Sequence, residues 1–231
     1  MKKIDVESID FQDLFRGSKD YVRNEKRDSI YKVATFLVKH FWYKPTDIAD
    51  GIGVLLSVWN QAFYRYCNFA LDFEGLEKFL KKNEKTIKKL RTRDISSFSK
   101  TDEDTTRELF NELLDVLKCK NRKSPVAVSK ALHLLAPNFF IAWDDDIAMA
   151  YSCYWYDSKY SSKKYLKFMW KIKDLSERII TEYTNRKNVD KETARKVICE
   201  KSSSNVPFTK SLLKIIDEYN YAFTKYWNPR R

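Results

Sequence analysis

SPVAVSKALHLLAPNFFIAWDDDIAMAY, from Ser124 to Tyr151, has the pattern of two helices joined by a short apolar crossover. Ser124 is a favourable N-cap, and Pro125 suits the first helical position, where a missing N–H costs nothing. The first helix is therefore predicted to begin there and to end at Pro137. Its apolar face consists of Val128, Ala131, Leu132 and Leu135, which recur at helical spacing.

Charged side chains flank this crossover on both sides. Lys130 lies at the edge of the apolar face, and His133 follows it by three residues. The crossover ends at Trp143 and leads directly into Asp144–Asp146. Acidic side chains favour a helix N-terminus because the unpaired N–H groups there are positive, so a second helix is predicted to begin at these aspartates. Lys130 and the aspartates are thus expected to meet across one turn of chain.

The rest of the chain has the composition of a helical protein. Its 231 residues include only four glycines and five prolines, too few for a sheet protein with many tight turns. We therefore predict an all-α, multi-helix bundle without a significant sheet. Residues 1–231 are expected to form one helical unit, with possible lobes at 46–151 and at 1–45 plus 152–231. Apolar spacing predicts further helices over residues 8–20, 24–43, 46–67, 72–90 (as two short helices), 101–118, 162–186, 190–201 and 208–227.

The chain is strongly basic, with a formal net charge of +12 and a pI near 9.3. Such a charge indicates a polyanionic partner, either nucleic acid or an anionic membrane surface, although it also suits a merely soluble basic protein. Two dense basic runs supply candidate nucleic-acid contacts: Lys88, Lys89, Arg91 and Arg93 in the first, and Lys120, Arg122 and Lys123 in the second. A solvated helix surface is the alternative interpretation of the first run.

The cysteines, Cys67, Cys119, Cys153 and Cys199, are widely separated and contain no C-x-x-C pair. Neither a zinc site nor an iron–sulfur cluster is therefore predicted, and we expect no metal and no cofactor. We expect the thiols to be reduced and mostly buried. No apolar run has the length of a membrane span and the N-terminus lacks an apolar signal segment, so a cytoplasmic protein without a membrane partner is predicted.

Two short blocks carry a resemblance to a known family. GVLLS at Gly53–Ser57, followed by Gln61, and IAWDDDI at Ile141–Ile147 resemble blocks of the helix-hairpin-helix DNA glycosylase superfamily, particularly its endonuclease III-like branch. Asp144 matches the essential aspartate of that family, and Lys130 falls where bifunctional members carry their nucleophilic lysine. The segment Asn121–Val126, where the family has a glycine-rich hairpin, contains no glycine.

The resemblance implies a two-lobed glycosylase-like bundle that acts in DNA repair by base excision. Lys130 would attack the sugar of a damaged nucleotide, with possible AP lyase activity, and Asp144 would stabilise the developing sugar cation or accept a proton. The damaged base would be flipped out of double-stranded DNA, and a prokaryotic protein of this kind would be associated with the nucleoid. The residues expected to bind the substrate are Trp59, Asn60, Gln61, His133 and Trp143.

Three alternatives stay open at this stage. Asp144–Asp146 would do no more than cap a helix, and Lys130 would be an ordinary surface lysine, in a non-enzymatic nucleic-acid-binding protein on the same scaffold. His133 would be a hydrogen-bonded core histidine rather than a neighbour of the active lysine. The whole chain would alternatively be a helical module that binds another protein.

Overall fold

Helices make up nearly the whole fold. The computed structural model describes residues 3–25, 28–203 and 209–227, and within these ranges the chain forms twelve α-helices and no β-strand. The prediction of an all-α protein is confirmed. The helices are α1 (Phe11–Asn24), α2 (Asp28–His40), α3 (Pro45–Trp59), α4 (Gln61–Tyr64), α5 (Phe73–Lys82), α6 (Glu84–Arg91), α7 (Glu103–Val116), α8 (Pro125–Leu135), α9 (Asp145–Ala150), α10 (Ser161–Lys187), α11 (Lys191–Ser202) and α12 (Leu212–Ala222).

The two ends of the chain pack together. Helix α1 lies against α12, while α2 lies against α3, and α3 also contacts α5 and α8. The long helix α10 runs past α7 and α11. Buried apolar side chains from Ile4 to Tyr219 form a hydrophobic cluster that draws on nearly all of these helices. None of the helices in the described ranges combines the length and apolar character that a membrane span requires.

The predicted helix over residues 46–67 is interrupted. Helix α3 ends at Trp59, Asn60 leaves the helical conformation with φ −129° and ψ 28°, and a four-residue helix and a 3₁₀ turn follow. The interruption turns Tyr64 inward, where its hydroxyl donates to the Leu117 carbonyl at 2.9 Å.

The expectation that all four thiols are reduced is wrong. Cys67 and Cys119 form a disulfide, with their Cα atoms 5.8 Å apart, whereas Cys153 and Cys199 are buried thiols. The pairing becomes possible because the break after α3 brings the 3₁₀ turn beside the end of α7. Sequence spacing gives no sign of it.

Several helix boundaries also differ from the prediction. The predicted helix over residues 101–118 is α7 from Glu103 to Val116, and a 3₁₀ turn with a capping box of Ser99 and Asp102 precedes it. The last helix begins at Leu212 with Ser211 as its N-cap, and a π-helical turn continues it from Phe223 to Trp227. The predicted start of that helix at residue 208 lies outside the described residues.

Candidate functional site

A small, partly open pocket of about 50 Å³ lies where α1, α3, α8, α9 and α12 converge. Its lining residues are Tyr21, Glu25, Trp59, Lys130, Trp143, Asp144, Ile147, Asp217 and Tyr221. The volume is well below the roughly 300–1,000 Å³ of ligand-binding pockets, but the mixture of aromatic rings with a few charged groups is typical of such sites. Four of the residues that the sequence singled out, namely Lys130, Asp144, Trp59 and Trp143, are brought together here.

Lys130 is positioned by the start of its helix and by the end of another. Ser124 caps α8 as predicted, accepting a hydrogen bond from the Ala127 N–H at 3.2 Å. Lys130, half-buried on the second turn, donates from Nζ to the carbonyl oxygen of Trp59 at 2.5 Å. That carbonyl belongs to the last turn of α3, where helix carbonyls lack intrahelical partners and need an external donor. The lysine thus joins α8 to the end of α3 at the edge of the pocket.

Asp144 is the N-cap of α9. Its Oδ1 accepts a hydrogen bond from the Ile147 N–H at 2.8 Å, and its Oδ2 lies 3.4 Å from Lys225 Nζ. Lys225 also pairs with Asp146. Burial lowers the pKa of Lys225, but the charges of Asp144 and Asp146 outweigh that effect and raise the pKa above its usual value. The predicted aspartate therefore caps a helix and pairs with a cation, yet still faces the pocket.

The two tryptophans form rigid walls. Trp143 is almost fully buried and donates its indole N–H to the Pro125 carbonyl at 3.2 Å. Its backbone N–H donates to Ser129 Oγ at 3.2 Å, so the crossover after α8 is tied to the helix before it. Trp59 stacks on Tyr31, with ring centroids 5.3 Å apart and an interplanar angle of 10°. Both residues line the pocket, but the Trp143 ring also packs against Trp155 and Phe168 and leaves little of its surface accessible.

A cluster of buried charges, none of them among the predicted site residues, lies directly behind the pocket. Lys214, fully buried on α12, lies 3.2 Å from Asp217, 3.5 Å from Glu218 and 3.9 Å from Asp28. Lys210, whose side chain is 1% exposed, pairs with Glu218 at 2.8 Å. Of these five charged groups, Asp217 also lines the pocket.

Aromatic rings surround the buried lysine. Its Nζ lies 4.3 Å from the Tyr21 ring centroid, 4.9 Å from that of Tyr31 and 4.8 Å from that of Trp59. Rings at such distances attract a cation and partly replace its lost hydration. Two of the pocket's aromatic walls, Tyr21 and Trp59, are therefore also the shell of Lys214.

The protonation of this cluster follows from its burial and its charge balance. Burial raises the pKa of Asp217 and of Glu218, and the ammonium groups only partly offset this. Burial acts to lower the pKa of Lys214, but Tyr21 and the carboxylates outweigh it and raise the pKa well above its usual value. The Lys214 ammonium therefore stays charged, and Asp217 and Glu218 bind protons more readily than in water.

A sign of this cluster does exist in the sequence of α12. Apolar residues occupy every side of LLKIIDEYNYA, from Leu212 to Ala222, and a helix that is apolar all round is normally buried. Lys214, Asp217 and Glu218 follow each other at i, i+3 and i+4 within it, so they share one face and can pair with each other when the helix is buried.

The remaining predicted substrate residues lie elsewhere. His133 is 1% exposed; its Nδ1 lies 2.8 Å from the Phe140 carbonyl oxygen and its Nε2 lies 3.0 Å from the Tyr31 hydroxyl. It does not line the pocket, which matches the core-histidine alternative. Asn60 donates to Ser124 Oγ at 3.0 Å, and Gln61 is exposed at the start of α4; neither lines the pocket.

The first predicted basic run is largely engaged within the protein. Arg91 donates to the carbonyls of Leu134 and Leu135 at 3.3 and 2.6 Å, at the end of α8, and its guanidinium stacks on a tryptophan ring. Arg93 makes a two-point pair with Asp102, which lowers the pKa of that carboxyl to about 2. Lys88 pairs with Glu84 at 2.5 Å, one turn earlier on the same helix. Lys89 is exposed.

The second basic run forms a tight turn between α7 and α8. Cys119 and Arg122 exchange two backbone hydrogen bonds, of 2.8 and 3.0 Å, and Lys120 adopts a left-handed conformation with φ 55°. Lys120 and Arg122 are exposed, whereas Lys123 pairs with Asp115 at 2.5 Å. The chain thus reverses here without the glycines that such turns usually contain.

Among the described residues, no group of histidine, cysteine and acidic side chains is arranged to hold a metal ion. Comparisons of the chain with protein-family models, with curated proteins and with solved structures found no match.

Proposed function

We propose that this protein binds DNA and excises damaged bases as a DNA glycosylase, with a lysine-dependent AP lyase step. The observation that supports this most is that Lys130 and Asp144, the two residues expected to carry the chemistry, line one pocket together with Trp59 and Trp143. An extrahelical base needs aromatic surfaces to replace its lost stacking, and the pocket lining includes the rings of Tyr21, Trp59 and Tyr221.

The chemistry starts from a neutral lysine. The lone pair of Lys130 Nζ forms a bond to the anomeric carbon of the sugar while the bond from that carbon to the base breaks, and the base leaves with the electron pair and gains a proton. Loss of a proton from nitrogen and opening of the sugar ring then give a Schiff base, from which strand cleavage by β-elimination can follow. Asp144 stabilises the positive charge that develops on the sugar, as its position in the pocket wall suggests.

A second function is favoured by a specific observation. Lys130 donates a hydrogen bond to the Trp59 carbonyl, and Asp144 caps α9 and lies near Lys225. Both side chains therefore have a structural role that requires no substrate. On this view the chain is a non-enzymatic nucleic-acid-binding protein on a similar scaffold.

Borohydride trapping separates the two functions. We would incubate the protein with duplexes that carry oxidised, deaminated, alkylated or abasic sites, and look for a covalent adduct by denaturing electrophoresis. Lys130→Gln is expected to abolish the adduct, while Lys163→Gln, which changes an exposed lysine on α10, retains it.

Asp144→Asn refines the test because asparagine keeps the N-cap and removes only the charge. Adduct formation that slows on this substitution, with an unchanged thermal midpoint, supports a role for the carboxylate in the reaction. Absence of both adduct and base release on every duplex, with salt-sensitive binding intact, refutes the enzymatic proposal and favours the binding protein.

A further inference from the structure

Two neighbouring loops form an exposed surface apart from the pocket. One loop spans residues 65–72 after α4, and the other spans residues 117–123 between α7 and α8. Three contacts hold them together: the Tyr64 hydroxyl to the Leu117 carbonyl at 2.9 Å, the Cys67–Cys119 disulfide, and the Arg122 guanidinium over the Tyr66 ring at 5.0 Å. The two loops therefore present their outer side chains as one fixed unit.

The charge of this surface is predominantly positive, with Asp72 at the end of the first loop as the acidic residue. No acidic residue occurs from Gln61 to Leu71 or from Val116 to Trp143, whereas the two loops expose Arg65, Lys118, Lys120 and Arg122 in addition to Lys123, which pairs with Asp115. The acids at the edges are already occupied, since Asp115 pairs with Lys123, Asp72 caps α5 and Glu74 pairs with Lys78. A polyanion is the complementary partner for such a surface.

Large aromatic side chains accompany these cations. Tyr66 is 63% exposed and Phe69 is 41% exposed, on the loop that faces the basic turn. Exposure of two rings beside four cations is the combination that binds nucleic-acid strands, because rings stack on bases and cations neutralise phosphates. We name these six residues the aromatic–basic surface: Arg65, Tyr66, Phe69, Lys118, Lys120 and Arg122.

The backbone of both loops is strained at this surface. Asn68 and Phe69 adopt φ of 52° and 58°, and Lys120 adopts φ of 55°, all in the left-handed region. For a residue such as phenylalanine this conformation costs on the order of 1–2 kcal/mol. Strain of this kind collects at functional sites, where a side chain must be held in a set direction.

We propose that the aromatic–basic surface binds single-stranded nucleic acid, with unpaired bases stacked on Tyr66 and Phe69 and phosphates on Arg122 and its neighbours. An unpaired strand is preferred over a duplex because ring faces can stack only on bases whose own faces are accessible. The inference rests on the proposed function in one respect, that the chain binds nucleic acid, and is independent of any reaction at Lys130. The aromatic–basic surface would contact an unpaired strand of the same nucleic acid that the pocket binds.

Fluorescence anisotropy with labelled oligo(dT) of about 20 nucleotides, longer than the usual single-strand site size, tests this directly. Tyr66→Ala and Phe69→Asn are expected to weaken binding about fivefold or more each, on the order of the stacking of one base. Asparagine is chosen at position 69 because it tolerates the left-handed backbone and removes only the ring. Arg122→Gln is expected to reduce the slope of log K against log salt by about 0.7, the value for one phosphate on a single strand.

Matched controls keep the test specific. Phe36→Ala removes another exposed ring, 60% exposed on α2, and is expected to bind oligo(dT) like the wild type. Tyr66→Trp is expected to restore affinity, and a blunt duplex of the same length is expected to lose less affinity than oligo(dT) in the Tyr66→Ala variant. Circular dichroism checks that each variant is folded.

Each outcome decides between the proposals. Oligo(dT) affinity that is equal in the Tyr66→Ala and Phe36→Ala variants overturns the inference, as does an equal loss on duplex and single strand. If Tyr66 matters but no duplex gives a trapped adduct, only the enzymatic proposal fails. If the adduct forms and Tyr66 does not matter, only the aromatic–basic surface fails, and absence of binding to either nucleic acid refutes both.

Discussion

Lys214 Nζ lies 3.2 Å from Asp217 Oδ2, and the lysine side chain has no exposed surface. This pair stands at the back of the pocket, where Asp217 forms part of the wall and Lys214 fills the space between Tyr21, Tyr31 and Trp59. Lys214 and Asp217 lie on α12, near the end of the chain, whereas Tyr21 lies on α1, near its start. The shape of the pocket therefore depends on the packing of α12 against α1.

Removal of the buried cation is expected to be costly. Lys214→Met leaves Asp28, Asp217 and Glu218 buried with only Lys210 to balance them, and loss of one partner of a buried pair typically costs about 3–5 kcal/mol. Urea unfolding near neutral pH measures the effect, with Lys163→Met on the surface of α10 as the control. A loss as small as that of the control would contradict the role assigned to Lys214.

The same variant has a definite pH dependence. Burial raises the pKa of Asp217 and Glu218 in the folded protein, so the stability they contribute is present at low pH and is lost as the pH rises through the folded pKa values. Without Lys214 those pKa values rise further. The deficit of the variant relative to the wild type should therefore shrink as the pH falls from neutral into the acidic range.

Arg91 and Lys89 belong to the same basic run in the sequence, but Arg91 is hydrogen-bonded within the protein whereas Lys89 is exposed. This difference gives a second prediction. Arg91→Gln removes the donor to the Leu134 and Leu135 carbonyls and is expected to cost about 2 kcal/mol of stability while leaving the salt dependence of DNA binding unchanged. Lys89→Gln is expected to leave stability unchanged and to lower the salt slope by about 0.9 for one duplex phosphate. The reverse result would make Arg91 the phosphate contact.

The sequence predicts what local chemistry determines. Ser124 and Pro125 define the start of α8, and Asp144 defines the start of α9, because a cap depends on the next few residues alone. Lys130 and Asp144 lie close together in the chain, so their meeting at one pocket follows from short-range geometry.

Long-range packing determines what the sequence does not reveal. The charge cluster of α12 depends on contacts with α1, nearly two hundred residues away, as the Ser18–Glu218 hydrogen bond illustrates. The break of the helix at Asn60 allows another long-range contact, the hydrogen bond from the Tyr64 hydroxyl to the Leu117 carbonyl. Lys89 and Arg91 look alike in a basic run, and only the end of α8 distinguishes them.

His133 gives a pH dependence that is opposite in sign to that of the buried acids. Burial lowers its pKa from 6.5 to about 4 in the folded protein, so its contribution to stability is present above pH 6.5 and is lost as the pH falls toward 4. The loss amounts to about 3 kcal/mol at most, from about 1.4 kcal/mol per pKa unit. Unfolding measured across this range should show the drop in the wild type.

Substitution of each histidine isolates this effect. His133→Asn keeps a donor for the Phe140 carbonyl but cannot titrate, so the drop between pH 6.5 and 4 should be smaller in this variant. His40→Asn changes the other histidine, which is exposed on α2, and should follow the wild type. Identical pH profiles for the two variants would show that His133 does not titrate as described.

The Cys67–Cys119 disulfide is expected to stabilise the fold by constraining the unfolded chain. The cysteines are 52 residues apart, and closure of a loop of that length contributes about 4 kcal/mol by the chain-entropy relation. The double variant Cys67→Ala/Cys119→Ala should lose up to this amount in urea unfolding, and reduced wild type should match it. Since the disulfide also fixes the aromatic–basic surface, the double variant should bind oligo(dT) more weakly. Thiol titration of the denatured, unreduced protein provides the check: two reactive thiols, from Cys153 and Cys199, are expected, whereas four would show that the bond does not form.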